Sequence, residues 1–111
     1  TPDGRGLVAL SFGVQGAPGP YPVNKKIWFD FTVTNVGADN VTFEGLGVWV
    51  EQTGDFKSSW RSREGLKPGK ELAWEDHIRI TAAGTYNLWL RVCFVDGSCV
   101  NLAGPVGIEV R

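Results

Sequence analysis

One histidine, two cysteines and five tryptophans carry the strongest chemical preferences in this chain of 111 residues. His77 follows Glu75 and Asp76, and a carboxylate beside an imidazole is the pairing used in general acid and base catalysis. No nucleophile-elbow serine, no Cys/His set at metal-ligand spacing and no glycine-rich phosphate loop accompanies it. His77 is therefore read as a solvated histidine at a strand irregularity, and no enzymatic activity is expected. The carboxylates between Asp30 and Asp96 are dispersed without the D-x-D-x-D spacing of a calcium loop, so neither metal nor cofactor is expected. Cys93 and Cys99 flank Asp96-Gly97, and a bridge between them would clip a hairpin, two free thiols being the alternative. Asn40-Val41-Thr42 matches the N-glycosylation acceptor, a match that arises readily by chance in a β-rich chain.

The tryptophans divide by the phase of the strands around them. Trp74 keeps step with Leu72 and is expected in the core, whereas Trp28, Trp49 and Trp89 fall on outward positions. If the strands bearing Trp49 and Trp89 are neighbours, the two indoles share one outer face, with Trp60 on the adjoining edge strand and Trp28 on the opposite sheet. A flat row of indoles stacks on pyranose rings, and Arg91, Glu51 and Arg61 could bond sugar hydroxyls. The competing reading makes Trp49 the buried tryptophan of the third strand and packs Trp89 under a loop or against a neighbouring domain.

Positioning these side chains requires strands. Apolar residues recur with a period of two in LVALSFGV, placing Val8, Leu10, Phe12 and Val14 on one face. In KKIWFDFTVTNVG, Ile27, Phe29, Phe31 and Val33 point inward; in VTFEGLGVWVEQT, Leu46, Val48 and Val50 do so. The proline- and glycine-rich Gln15 to Asn24 stretch is expected as a loop, and the polar GDFKSSWRSRE as a short edge strand. In KELAWEDHIRI, Asp76 breaks the alternation and predicts a bulge or kink. GTYNLWLRVCFVDGSC alternates through Phe94 and turns at Asp96-Gly97, and a strand broken at Gly104-Pro105 returns as an edge. Tyr86 is placed for a tyrosine corner. About seven strands without helical periodicity predict an all-β fold: one immunoglobulin-like β-sandwich over residues 1–111, antiparallel in two sheets.

DFTVTNVG (Asp30 to Gly37), GLKPGKELAW (Gly65 to Trp74) and AAGTYNLWLRV (Ala83 to Val92) together resemble bacterial extracellular immunoglobulin-like modules of the cell-adhesion-related, CARDB-like type. The resemblance spans Lys26 to Val95 and implies a non-catalytic accessory module of a larger secreted or cell-surface protein. The chain departs from it at CFVDGSC, where family members often carry an acidic, Asn-rich loop.

Eleven basic and 12 acidic residues leave no electrostatic footprint for nucleic acid or an anionic membrane surface. The apolar runs are too short to span a bilayer and no signal-type segment opens the chain, so a soluble, mature or excised piece without membrane insertion is expected. A disulfide would place it outside the cytosol, extracellular or at a cell surface. The expected function is a non-catalytic accessory or interaction module whose partners are neighbouring domains of its parent protein. The alternative is a carbohydrate-binding module that uses Trp49, Trp89 and Trp60 with Arg91 and Glu51 to hold polysaccharide.

Overall fold

Alternation of β-branched and aromatic residues with polar ones makes each segment a pleated ribbon with one apolar face, and two such faces must close on each other. The computed structural model describes residues 5–17 and 19–111, except for the side chains of residues 59–64. Seven strands form: β1 (Leu7–Val14), β2 (Lys26–Asn35), β3 (Val41–Val50), β4 (Phe56–Leu66), β5 (Glu71–Arg79), β6 (Gly84–Cys93) and β7 (Cys99–Val110). They pair antiparallel in two sheets, ordered β1-β2-β5 and β4-β3-β6-β7, which is the expected immunoglobulin-like sandwich. The fourth strand hydrogen-bonds to the third and so extends the second sheet.

The core lies between the sheets. Ile27, Phe29, Phe31 and Val33 on β2 face Leu46, Val48 and Val50 on β3 and Leu88, Leu90 and Val92 on β6, all buried as their phase predicts. Each such side chain contributes roughly 1.5–3 kcal/mol by leaving water, so this set holds the layers together.

Asn35 and Tyr86 fasten the two ends. Fully buried Asn35 donates through Nδ2 to the carbonyls of Asp39 (2.7 Å) and Leu66 (2.8 Å), and its Oδ1 accepts the Gly37 N–H at 2.9 Å. A Cβ at Gly6 would come within 2.7 Å of that Oδ1, so the chain entering β1 passes this point only as glycine. The Tyr86 hydroxyl donates to the Ala82 carbonyl at 2.8 Å, the predicted corner.

Five expectations are corrected. The register of β1 on β2 shifts between Ala9 and Ser11, and the extra residue of that bulge inverts the phase. Leu7 is consequently buried while Val8 and Leu10 are 39% and 54% exposed, and Phe12 and Val14 return inward. On β5 no bulge occurs at Asp76, since pairing with β2 runs unbroken from Arg79 to Glu71. Trp74 keeps the inward phase but is 40% exposed, because β5 is the last strand of its sheet. The edge strand β4 is not short: it runs for 11 residues. The proline-rich connection carries a pairing of its own, with Tyr21 forming a parallel bridge to Val110 at the end of β7.

Candidate functional site

Strands β3 and β6 are neighbours, and their register sets Trp49 directly opposite Trp89 and Gly47 opposite Arg91. Outward parity therefore brings the two indoles onto one face of the four-stranded sheet, as the sequence predicts, and both are half-buried. Gly47 offers no side chain to obstruct Arg91, whose guanidinium lies over the Trp49 ring, 3.7 Å from its centroid. Its Nε donates to Asn101 Oδ1 on β7 at 2.8 Å, which fixes the guanidinium plane. Partial burial pushes the Arg91 pKa down, but guanidinium basicity is so high that the charge persists at neutral pH. On the other side of the pair, Trp89 Nε1 donates to Glu51 Oε1 at 2.9 Å.

Four of the five platform residues thus form one interlocked strip: Arg91 on Trp49, and Glu51 on Trp89. The backbone of Trp60 pairs with Leu46, but its side chain lies outside the described residues, as does that of Arg61. Asn101, which the sequence reading does not name, carries part of the strip: the β6 to β7 ladder runs without a shift from the Cys93 and Cys99 pair to Arg91 and Asn101, so this partner follows once the two cysteines are placed across from each other.

The strip ends at a fastened hairpin. Cys93 and Cys99 are bridged, with Cα atoms 4.1 Å apart at opposed positions of β6 and β7. The turn is one residue longer than a two-residue Asp-Gly loop: Phe94 N–H donates to Ser98 O at 2.8 Å, Gly97 N–H to Phe94 O at 3.0 Å, and only Gly97 has positive φ, at 90°. Asp96 Oδ1 accepts from the Ser98 hydroxyl (2.7 Å) and backbone N–H (3.0 Å), and its Oδ2 pairs with Arg5 at 2.6 Å. These bonds, those from Ser98 first, hold the Asp96 carboxyl well below the usual carboxylate range.

His77 lies on β5, outer face of the other sheet. Its ring centroid is 4.9 Å from that of Trp28, the residue directly opposite on β2, and its Nδ1 is 3.5 Å from Asp76 Oδ1. Among the described residues no cluster of three or more His, Cys, Asp or Glu side chains could hold a metal ion. A cleft of about 680 Å³ opens between the sheets on their β4 and β5 side, with Val48, Val50, Ile78, Ile80 and Tyr86 in its floor.

Comparison with known protein families, with curated proteins and with solved structures finds no match to this chain.

Proposed function

We propose that the chain is a non-catalytic interaction module of a secreted or cell-surface protein, docking a neighbouring domain through the outer face of its four-stranded sheet. The observation that carries this reading is the interlocked strip of Trp49, Arg91, Trp89 and Glu51. Tryptophan and arginine dominate the energetics of protein interfaces, and here both are held in one geometry before any partner arrives. A preordered face loses less side-chain entropy on binding than a mobile one. The bridged Cys93 and Cys99 are compatible with an oxidising compartment. The resemblance to CARDB-like accessory modules points the same way.

A second reading, sugar binding on this strip, draws support from the adjacent outward indoles. It requires the Arg91 guanidinium to leave the Trp49 face, which is the surface a pyranose ring would take. Docking of a protein surface makes no such demand. The test is association between this chain and the remaining segments of the protein that carries it, followed by size-exclusion chromatography. Arg91→Glu, which places a carboxylate against the indole, is expected to weaken association at least tenfold; unchanged association contradicts the reading.

A further inference from the structure

The outer face of the three-stranded sheet is ordered in rungs. Register pairs Lys26 with Arg79, Trp28 with His77, and Asp30 with Glu75, all on the outward side of β2 and β5. An aromatic rung is thus flanked by a doubly positive rung on one side and a doubly negative rung on the other. Like charges placed directly opposite each other on paired strands destabilise a sheet. The four charged residues are exposed, and none forms an ion pair with another described residue. Gln15 Nε2 donates to Glu75 Oε2 at 3.0 Å, which fixes that carboxylate without neutralising it.

Trp28 is more open than Trp49 and Trp89, at 37% exposure. His77 supports one side of the ring at an interplanar angle of 53°, and Lys26 Nζ stands over the ring at the looser distance of 5.8 Å from its centroid, an exposed ammonium that a stacked sugar displaces; the indole N–H donates to no acceptor among the described residues. Along a strand the charged rungs stand about 13 Å apart, at roughly 3.3 Å per residue, with the indole midway.

We infer that this face is a binding site for a neutral pyranose oligosaccharide lying along β2, one sugar ring stacked on Trp28. Hydroxyls both donate and accept. A neutral sugar therefore donates to Asp30 and Glu75 at one end and accepts from Lys26 and Arg79 at the other. A polymer carrying one repeated charge meets a rung of its own sign wherever it lies across both. The ligand's hydroxyls bond the exposed carboxylates and cations in place of water and add no charge to either like-charged rung, while Glu75 keeps its bond from Gln15. The inference rests on the reading of the chain as a binding module but not on the Trp49 and Trp89 strip.

The test is affinity electrophoresis of the oxidised chain through gels containing xylan, mannan, mixed-linkage β-glucan or hydroxyethylcellulose, with polygalacturonate and chitosan as charged comparisons. Retardation is expected in at least one neutral gel. Trp28→Ala should raise the dissociation constant at least tenfold, and Trp89→Ala should leave it within twofold. The double variant Asp30→Asn, Glu75→Gln removes the like-charge contact without touching the core, so it keeps the test decisive if Trp28→Ala proves unstable; it should weaken retention by at least fivefold. Free migration in all four neutral gels, retardation confined to a charged gel, survival of retention in these variants or its loss in Trp89→Ala would each overturn the inference. Release of reducing ends from any polysaccharide contradicts instead the non-catalytic reading.

Discussion

Asn35 shows how one polar side chain can organise the end of a sandwich. It is fully buried and joins the end of β2 to the following loop and to the end of β4. Asn35→Ala would remove all three hydrogen bonds of a fully buried side chain, and about 3 kcal/mol should be lost in urea unfolding. Tyr86→Phe removes only the hydrogen bond to Ala82 and should cost about 1 kcal/mol. The corner tyrosine was legible from its place ahead of an alternating strand. Asn35 could be seen only as a member of the TNVG motif, since its partners lie 4 and 31 residues away. Asp96 adds a pH dependence. Its folded-state pKa lies below the unfolded value of about 3.9, so its contribution is complete above that value and is lost as pH falls through the folded one. Exchange of the Ser98 amide should therefore quicken below about pH 4 relative to the rest of the sheet, and Asp96→Asn should abolish that added acid sensitivity.

At the scale of elements, period-two alternation located the strands other than β4, which was read as a short edge strand from a polar stretch, because a half-buried ribbon has little freedom in where it puts apolar groups. It misassigned the first half of β1. A bulge costs one residue and leaves no compositional mark in LVALSFGV, so Val8 and Leu10 looked equivalent to Val14. Leu10→Ser should accordingly change stability by less than about 0.5 kcal/mol, whereas a core leucine at that position would cost several times more. Trp74 was misassigned for a different reason: phase reports which way a residue points, but whether anything covers it depends on strand order, and β5 is an edge. The hairpin of β6 and β7 is held by its own backbone bonds as well as by the disulfide. Replacing both cysteines by serine should leave the fold intact and lower unfolding free energy by about 2 kcal/mol, read from denaturant titration.

Across the whole molecule, the two sheets present faces of different chemistry. Trp49, Trp89, Arg91 and Glu51 were brought together as the sequence suggested, because neighbouring strands of an immunoglobulin-like order make outward residues meet. That Arg91 caps Trp49 depends on the direction its side chain takes, which alternation along one strand does not reveal, whereas Asn101 follows from the unbroken ladder between the cysteine pair and Arg91. The rungs around Trp28 were hidden for a related reason: Lys26, Trp28 and Asp30 alternate visibly along β2, but Arg79, His77 and Glu75 become their partners only once β5 is known to pair with β2. The central claim, that the four-stranded sheet docks a neighbouring domain, is tested most directly by hydroxyl-radical footprinting of Trp49 and Trp89. The two indoles should be oxidised at least fivefold more slowly in the intact protein that carries this chain than in the chain alone, while Trp28 serves as the exposed reference. Equal oxidation of Trp49 and Trp89 in the two contexts would contradict the account.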